Sequence, residues 1–429
     1  MKSINPTNSE LLATFDEHSD AYVESALERA NSRFSSWKKR DYSFRKTHFL
    51  ELAQLLRDRK EELSRLMALE MGKVLAEGSA EVEKCALVCE YYANNAKAFL
   101  EDKTLNPEKG NAFVSYEPLG IVLGVMPWNF PFWQVFRFVA PTVMAGNTVV
   151  LKHASNVPQC ALAIEELFAD AGFLPGVYQT LLISSSKVEG IVADARVKTV
   201  SVTGSEYAGS QVAQAAGKNI KPSLLELGGS DAFVVLDDAD IDKTARVAAK
   251  ARMINCGQSC IAAKRFIVHH KVYDQFLERF KSFMSAYTIG DPLNDTTKCG
   301  PMASTQLMED LHEQVKDATQ NGARLELGGD VADLGGAFYQ PTIITGITKE
   351  MRAYHEELFG PVALVFKVND EEEAIALAND SQFGLGGSVW TNDKERGLAV
   401  ARAMETGAVF INEMTASQPA LPFGGVKLS

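Results

Sequence analysis

The chain has 429 residues, of which 46% are hydrophobic, 23% charged and 9% aromatic, a balance that builds two or three packed domains and excludes a disordered polypeptide. Its formal net charge of −12 disfavours nucleic acid or an anionic membrane surface as the main partner, because the long-range field repels polyanions. Six cysteines, at positions 85, 89, 160, 256, 260 and 299, are too sparse for a disulfide scaffold and suit a reducing compartment.

The opening stretch MKSINPTNSELLATF carries neither a basic-then-apolar signal pattern nor an Arg-rich transit pattern, and no apolar run is long enough to span a bilayer, so a cytoplasmic location is expected. From Ser19 to about Leu69, Val23, Leu27, Ala30 and Phe34, then Leu52, Leu55, Leu56, Leu63 and Leu66, recur at helical spacing and predict two amphipathic helices. A third helical run, roughly 74–100, is closed by Asn106-Pro107 and Lys109-Gly110. β-rich runs then alternate with helical ones: AFVSYEP, GIVLGVMP, NTVVLKH, YQTLLIS, KTVSVTG and DAFVVLD, then KRFIVHH, ALVFKV, GSVWT and AVFIN, with helices over 271–284, 304–321 and 370–379. This alternation predicts parallel βαβ units in open, doubly wound sheets, and two α/β domains with a cleft between them, the boundary falling near 225–233.

Four stretches could carry chemistry. VMPWNFPFWQ (125–134) surrounds Asn129 with Trp128, Phe130, Phe132 and Trp133 after a strand; the aromatics suit a core loop, and the Asn129 amide, stiffened by two prolines, suits a preorganised oxyanion donor. VSVTGSEYAGS (200–210) runs from a strand through Gly204-Ser205 into a helix, a geometry that offers free N–H groups and a positive dipole end to a phosphate, although no G-x-G-x-x-G fingerprint is present. Glu226 in LLELGG and Glu357 in EELFGPV sit in glycine-bearing apolar sequence, where partial desolvation would raise the carboxyl pKa toward that of a useful base, although most glutamates are solvated surface groups. NCGQSCIAAKR (255–265) is a glycine-containing break holding Cys256 and Cys260. Without a nearby histidine that pair is a poor zinc site, and His153, His269, His270 and His355 form no HExxH, because Phe359 occupies the second histidine position, so no metal is expected. A nucleophile, a papain-like thiol or a buried structural cysteine all stay open on these residues alone.

Taken together, MPWNFP, LKHAS, VTGS, LELGG, GQSC, EELFGPV and PFGGVKLS, in this order and spacing, resemble the NAD(P)-dependent aldehyde dehydrogenase superfamily over essentially the whole chain. The resemblance implies a Rossmann-like cofactor domain (1–100 and 119–228), an oligomerisation β segment (101–118) and a catalytic α/β domain (229–429). It implies Cys260 as nucleophile, Glu226 as general base and Asn129 as oxyanion donor. It implies cofactor contacts from Trp128, Lys152, Ser155, Gly204, Ser205, Leu227, Glu357 and Phe359, with Glu357 at the nicotinamide ribose rather than acting as the base. A small-molecule aldehyde as substrate and a homodimer or homotetramer belong to the same expectation. The family's segment beyond PFGGVKLS, with a strand added to a neighbouring subunit, is not in this sequence.

Position 155 separates cofactor preference in the family, and Ser155 in place of an acid implies that NADP is admitted beside NAD. FPFWQVFR, GQSCIAAKRF and PALPFGGVKLS look most like the succinate-semialdehyde dehydrogenase branch, with Arg137 and Ser417 as carboxylate partners and Trp133 beside the substrate. Ile254 stands where some branch members carry a second Arg, and Ala262 where redox-regulated members carry a second Cys. A thiol switch would then need Cys256, whose helical spacing from Cys260 is awkward for a disulfide. The competing readings are an enzyme for glutarate semialdehyde or an uncharged aliphatic aldehyde, a non-catalytic structural member, and a cysteine hydrolase.

Overall fold

The helical periodicity of the first hundred residues folds into four helices: α1 (Asp20–Trp37), α2 (Tyr42–Asp58), α3 (Lys60–Met71) and α4 (Leu75–Phe99). Two were expected before residue 70 and three are found. The second run breaks at Arg59, whose φ of −97° and ψ of 13° leave the helical region. The Arg59 guanidinium there donates to Glu62, and to Glu166 and Asp170 a hundred residues away, contacts that an uninterrupted periodicity cannot announce. The computed structural model describes residues 1–105, 108 and 112–429, so the expected Asn106-Pro107 and Lys109-Gly110 breaks lie outside the described residues. Of the segment 101–118, Lys103–Leu105 pairs antiparallel with Ala112–Val114. No helix among the described residues is long and apolar enough to cross a membrane.

The chain divides into two units. The first comprises Met1–Ile4, Leu11–Glu70 and Ala76–Leu225, and the second Asn5–Glu10, Met71–Leu75 and Glu226–Ser429. The short segments 5–10 and 71–75 belong to the second unit through contacts such as Ala337 N donating to Pro6 O and Leu75 N to Pro292 O.

A five-stranded sheet organises the first unit: β1 (Ile121–Met126), β2 (Thr148–His153), β3 (Tyr178–Thr180), β4 (Val197–Thr203) and β5 (Ser223–Glu226), in the order β3-β2-β1-β4-β5. β1 lies parallel to both β2 and β4, and β2 to β3. Burial on both faces explains why β1 and β2 read as near-continuous apolar runs rather than alternating ones. Helices α5 (Trp133–Met144), α6 (Pro158–Asp170) and α7 (Glu206–Lys218) make the crossovers. The three motif segments of this unit, at Trp128–Phe132, Lys152–Ser155 and Gly204–Ser205, lie at the carboxyl ends of β1, β2 and β4, where open α/β sheets place ligands.

In the second unit seven strands, β6 (Ala232–Val235), β7 (Arg265–His269), β8 (Arg324–Leu327), β9 (Thr342–Thr345), β10 (Val362–Val368), β11 (Gly386–Trp390) and β12 (Ala408–Ile411), take the order β8-β9-β10-β7-β6-β11-β12. All neighbouring pairs are parallel except β8 with β9 at one edge. Here the motif segments precede the strands: Glu226–Ser230 before β6, Cys260 before β7 and Glu357–Phe359 before β10. The functional loops of this sheet therefore gather at amino ends, the reverse of the arrangement in the first unit.

Candidate active site

In the first unit the WNFPFW loop is held by two buried residues that its own sequence does not reveal. Helix α5 has no side-chain cap of its own; Phe132 N and Trp133 N instead both donate, at 2.9 Å, to Glu81 Oε1 of α4, a carboxylate well placed against the helix dipole. His153, closing β2, lies 2.8 Å from Pro131 O through Nε2, while its Nδ1 accepts from Ala154 N at 2.8 Å. Those two contacts admit only the neutral Nε2–H tautomer, and burial lowers the pKa of the imidazole to about 4. Within this frame Asn129 is buried and Trp128 half-buried. Trp133 is buried with the Lys84 ammonium 4.0 Å from its ring centroid. Arg137 is half-buried one turn further along α5, on the same face as Trp133.

Lys152, next to last in β2, borders two cavities. One, of about 670 Å³, is also lined by Val125, Ser185, Gln211 and Val212. The other, of about 410 Å³, is lined by Ser155, Asn156, Ser184, Glu17 and Lys2 as well. Burial lowers the Lys152 pKa, and the nearby Glu17 carboxylate opposes that shift. Gly204 and Ser205 form the β4–α7 turn, where Ser205 Oγ accepts from Ala208 N at 3.2 Å and caps α7. The two cavities share Lys152 and Ser185, and the second adds the hydroxyls of Ser155 and Ser184, groups whose chemistry suits a ribose carrying a phosphate.

In the second unit Cys260 lies between α8 (Ile241–Met253) and β7, in a loop whose residues Asn255, Cys256 and Gly257 all take left-handed backbone, at φ 53°, 53° and 73°. The helical spacing expected for Cys256 and Cys260 is therefore absent. Cys256 instead meets Cys299, whose Sγ donates to Cys256 Sγ at 3.3 Å. The loop is tied internally by Asn255 Nδ2 donating to Gln258 O at 3.0 Å, and externally by Ala303 N donating to Gln258 Oε1 at 2.9 Å. Gly257 admits no side chain, since a Cβ would stand 2.1 Å from Gly360 O. Five of the six cysteines are buried; Cys260 alone is not.

Around Cys260 the structure gathers charged groups that the motifs leave unnamed. Lys264, fully buried, donates to Ser259 O and Cys260 O, each at 2.7 Å, and pairs with Glu357 Oε1 at 2.8 Å. Its ammonium is 6.0 Å from the Phe359 ring centroid. Arg265 Nε donates to Ser230 O, and its Nη groups to Leu377 O and Ala378 O, and burial lowers its pKa to about 10. Asp231 accepts from Gly386 N at 3.1 Å; burial raises its pKa to about 6 against the pull of Lys264. Glu226, Leu227 and Ser417 are buried. Ser429 Oγ donates to Gly228 O at 2.6 Å, which lays the PFGGVKLS segment along LELGG. Glu81 escapes motif reading because the residues it caps are distant in sequence, and Lys264, although four residues from Cys260, because its burial and its Glu357 partner are set by the fold.

Residues 1–429 match the sequence profile of the Aldehyde dehydrogenase family. Over 427 residues the chain is 48% identical to the probable succinate-semialdehyde dehydrogenase (NADP+) of Synechocystis sp., covering 100% of this chain and 94% of that one. It is 46% identical over 427 residues to the succinate-semialdehyde dehydrogenase (NADP+) of Deinococcus radiodurans, covering 100% and 90%. The crystal structure of succinic semialdehyde dehydrogenase from Streptococcus pyogenes in complex with NADP+ as the cofactor matches with a TM-score of 0.98 at 42% identity, covering 100% of this chain and 94% of that chain.

Proposed function

The chain belongs to the aldehyde dehydrogenase family, and from that premise we propose that it oxidises succinate semialdehyde to succinate with NADP, and NAD beside it, as cofactor. The observation that carries this reading is Cys260, the one cysteine not buried, set in a loop held by Gln258 and Lys264. The names and the 46–48% identity of the Synechocystis and Deinococcus relatives support the substrate and the cofactor. The cavity lined by Lys152 and Ser155 supports NADP.

In this reading residues 1–100 and 119–228 bind the cofactor through Trp128, Lys152, Ser155, Gly204, Ser205 and Leu227, with Glu357 and Phe359 contributing from beyond them. Residues 229–429 carry the chemistry. The Cys260 thiolate attacks the aldehyde carbon, and the new oxyanion is met by Asn129 Nδ2–H and the Cys260 N–H. The oxidised nicotinamide, when bound, supplies the hydride acceptor. With the hydride accepted there, the acyl group would remain on Cys260 as a thioester. Glu226 then takes a proton from water as that water attacks the thioester carbon, and the thiolate leaves with the acid formed. Arg137, with Ser417 and Trp133, reads the distal carboxylate. The segment 101–118, whose paired strands Lys103–Leu105 and Ala112–Val114 leave Leu105 and Phe113 exposed, serves assembly into a homodimer or homotetramer, and the site of action is the cytoplasm.

An aldehyde panel followed by reduced-cofactor absorbance, with wild type, Cys260→Ala and Arg137→Ala, tests the reading. Cys260→Ala should abolish turnover. Arg137→Ala should lower kcat/KM for succinate semialdehyde by about ten- to a few-hundredfold while an uncharged aldehyde of similar length is nearly unaffected, as expected for loss of one charge-assisted contact. Equal losses for both aldehydes would refute the carboxylate substrate, and turnover without nicotinamide would refute the dehydrogenase.

A further inference from the structure

We propose that Lys264 is a positioning residue that fixes both peptide planes flanking Cys260 and ties them to the Glu357 carboxylate, thereby aiming the thiol and the Cys260 N–H. The inference rests on the reading of Cys260 as nucleophile. A lysine ammonium has three donors; two are spent here, on Ser259 O and Cys260 O at 2.7 Å each, and the same Nζ forms an ion pair with Glu357 Oε1 at 2.8 Å. Ser259 O and Cys260 N–H belong to one planar peptide unit, so a donor that holds the oxygen also sets the direction of the N–H on the opposite side. Cys260 O belongs to the next peptide unit. With both planes held, φ and ψ of Cys260 are set, and with them the direction of its Cα–Cβ bond.

A charge-assisted bond to Ser259 O also polarises that peptide and makes its N–H a better donor to a developing oxyanion. Glu357 completes the arrangement. Its side chain is 15% exposed while that of Lys264 is wholly enclosed, so the carboxylate is the member of the pair that a ligand can reach, and a group bound to Glu357 is mechanically linked to the nucleophile through one ammonium. The remaining charged groups facing this pair are Asp231, ahead of β6, Arg252 of α8 and Arg265 of β7, each of which feels the Glu357 or Asp231 carboxylate.

The test compares wild type, Lys264→Met, Glu357→Gln, Lys264→Met/Glu357→Gln and Lys264→Arg. Cys260 alkylation by iodoacetamide is measured across pH without cofactor or aldehyde, together with kcat and thermal unfolding. Lys264→Met should lower kcat by about ten- to a hundredfold, because the loss of one aligned oxyanion donor costs about a hundred- to a thousandfold and here the donor is misaimed rather than removed. Its alkylation profile should move up by about half to one pH unit, because the buried cation that binds the Cys260 carbonyl is lost and its partner Glu357 is left uncompensated. The double variant removes the Glu357 charge and should recover thermal stability and the alkylation midpoint, both read without cofactor; because Glu357 also holds the cofactor, its kcat is compared with that of Glu357→Gln alone, below which it should fall by about ten- to a hundredfold, since the two carbonyls still lack their donor. Lys264→Arg should recover part of kcat. A double variant within about threefold of Glu357→Gln in kcat would overturn the inference and leave Lys264 as a counter-ion only. Full turnover by Cys260→Ala would instead overturn the reading of the nucleophile, so the two failures are separable.

Discussion

Replacing Gly229 by alanine tests how tightly the nucleophile is seated. A Cβ at this position would stand 2.5 Å from Cys260 O, 3.1 Å from Asp231 Oδ1 and 3.2 Å from Leu385 Cβ, the first about 0.9 Å short of an ordinary carbon–oxygen contact. Cys260 O cannot retreat freely, because Lys264 Nζ donates to it at 2.7 Å; any shift that admits the methyl stretches that bond and turns the peptide. Overpacking of this kind costs about 1–3 kcal/mol, which in a unit of this size lowers Tm by about 3–10 °C. A displacement approaching 1 Å at the reacting atom should lower kcat/KM by about a hundredfold. Differential scanning fluorimetry gives the first quantity, and initial rates with iodoacetamide alkylation of Cys260 the second. Gly217→Ala in α7, where a Cβ meets nothing within 4 Å, is the control, with activity unchanged and a gain of about 0.5–1 kcal/mol. Wild-type rates within threefold and an unshifted Tm for Gly229→Ala would refute the seating described for Cys260.

Gly257→Ala combines φ of +73° with a Cβ 2.1 Å from Gly360 O and 2.3 Å from Gly360 C, and neither backbone atom can rotate away; a loss of about 3 kcal/mol or more in urea unfolding is expected, and a loss below 1 kcal/mol would contradict it. Ser155→Glu places a carboxylate in the cavity shared with Lys152. NADP affinity, read by titration calorimetry, should fall by about ten- to a hundredfold with NAD retained, and an unchanged ratio would move the ribose phosphate elsewhere. His153 carries a folded pKa of about 4 against an ordinary value of 6.5, so the unfolded chain binds the proton first. Its contribution is complete above pH 6.5 and lost as pH falls toward 4, by up to about 3 kcal/mol. Asp231, with its pKa raised to about 6, works in the opposite direction, losing stability as pH rises toward 6, but it is common to wild type and His153→Gln. The gap between those two proteins in urea unfolding should therefore close as pH falls from 7 to 4.5, and a pH-independent gap would rule out His153 as the titrating group.

The sequence by itself determined the alternation of strands and helices, the β4–Gly204–Ser205–α7 turn and the segments that hold Cys260, Asn129, Glu226 and Glu357, because period and turn chemistry are local properties of the chain. It misjudged the break at Arg59 and the backbone between Cys256 and Cys260, where the deciding partners, Glu166, Asp170 and Cys299, lie far along the chain. Only the tertiary structure decided that Glu81 caps α5 from 51 residues away and that Lys264 meets Glu357. That meeting follows from strand order: β7 and β10 are parallel neighbours in the register Arg265 with Leu364, so the residues just ahead of each strand arrive at the same end of the sheet. Period and spacing say where a strand is and which way its side chains alternate; which strand lies beside it, and hence which charges share a buried pocket, is set by the packing of the whole sheet.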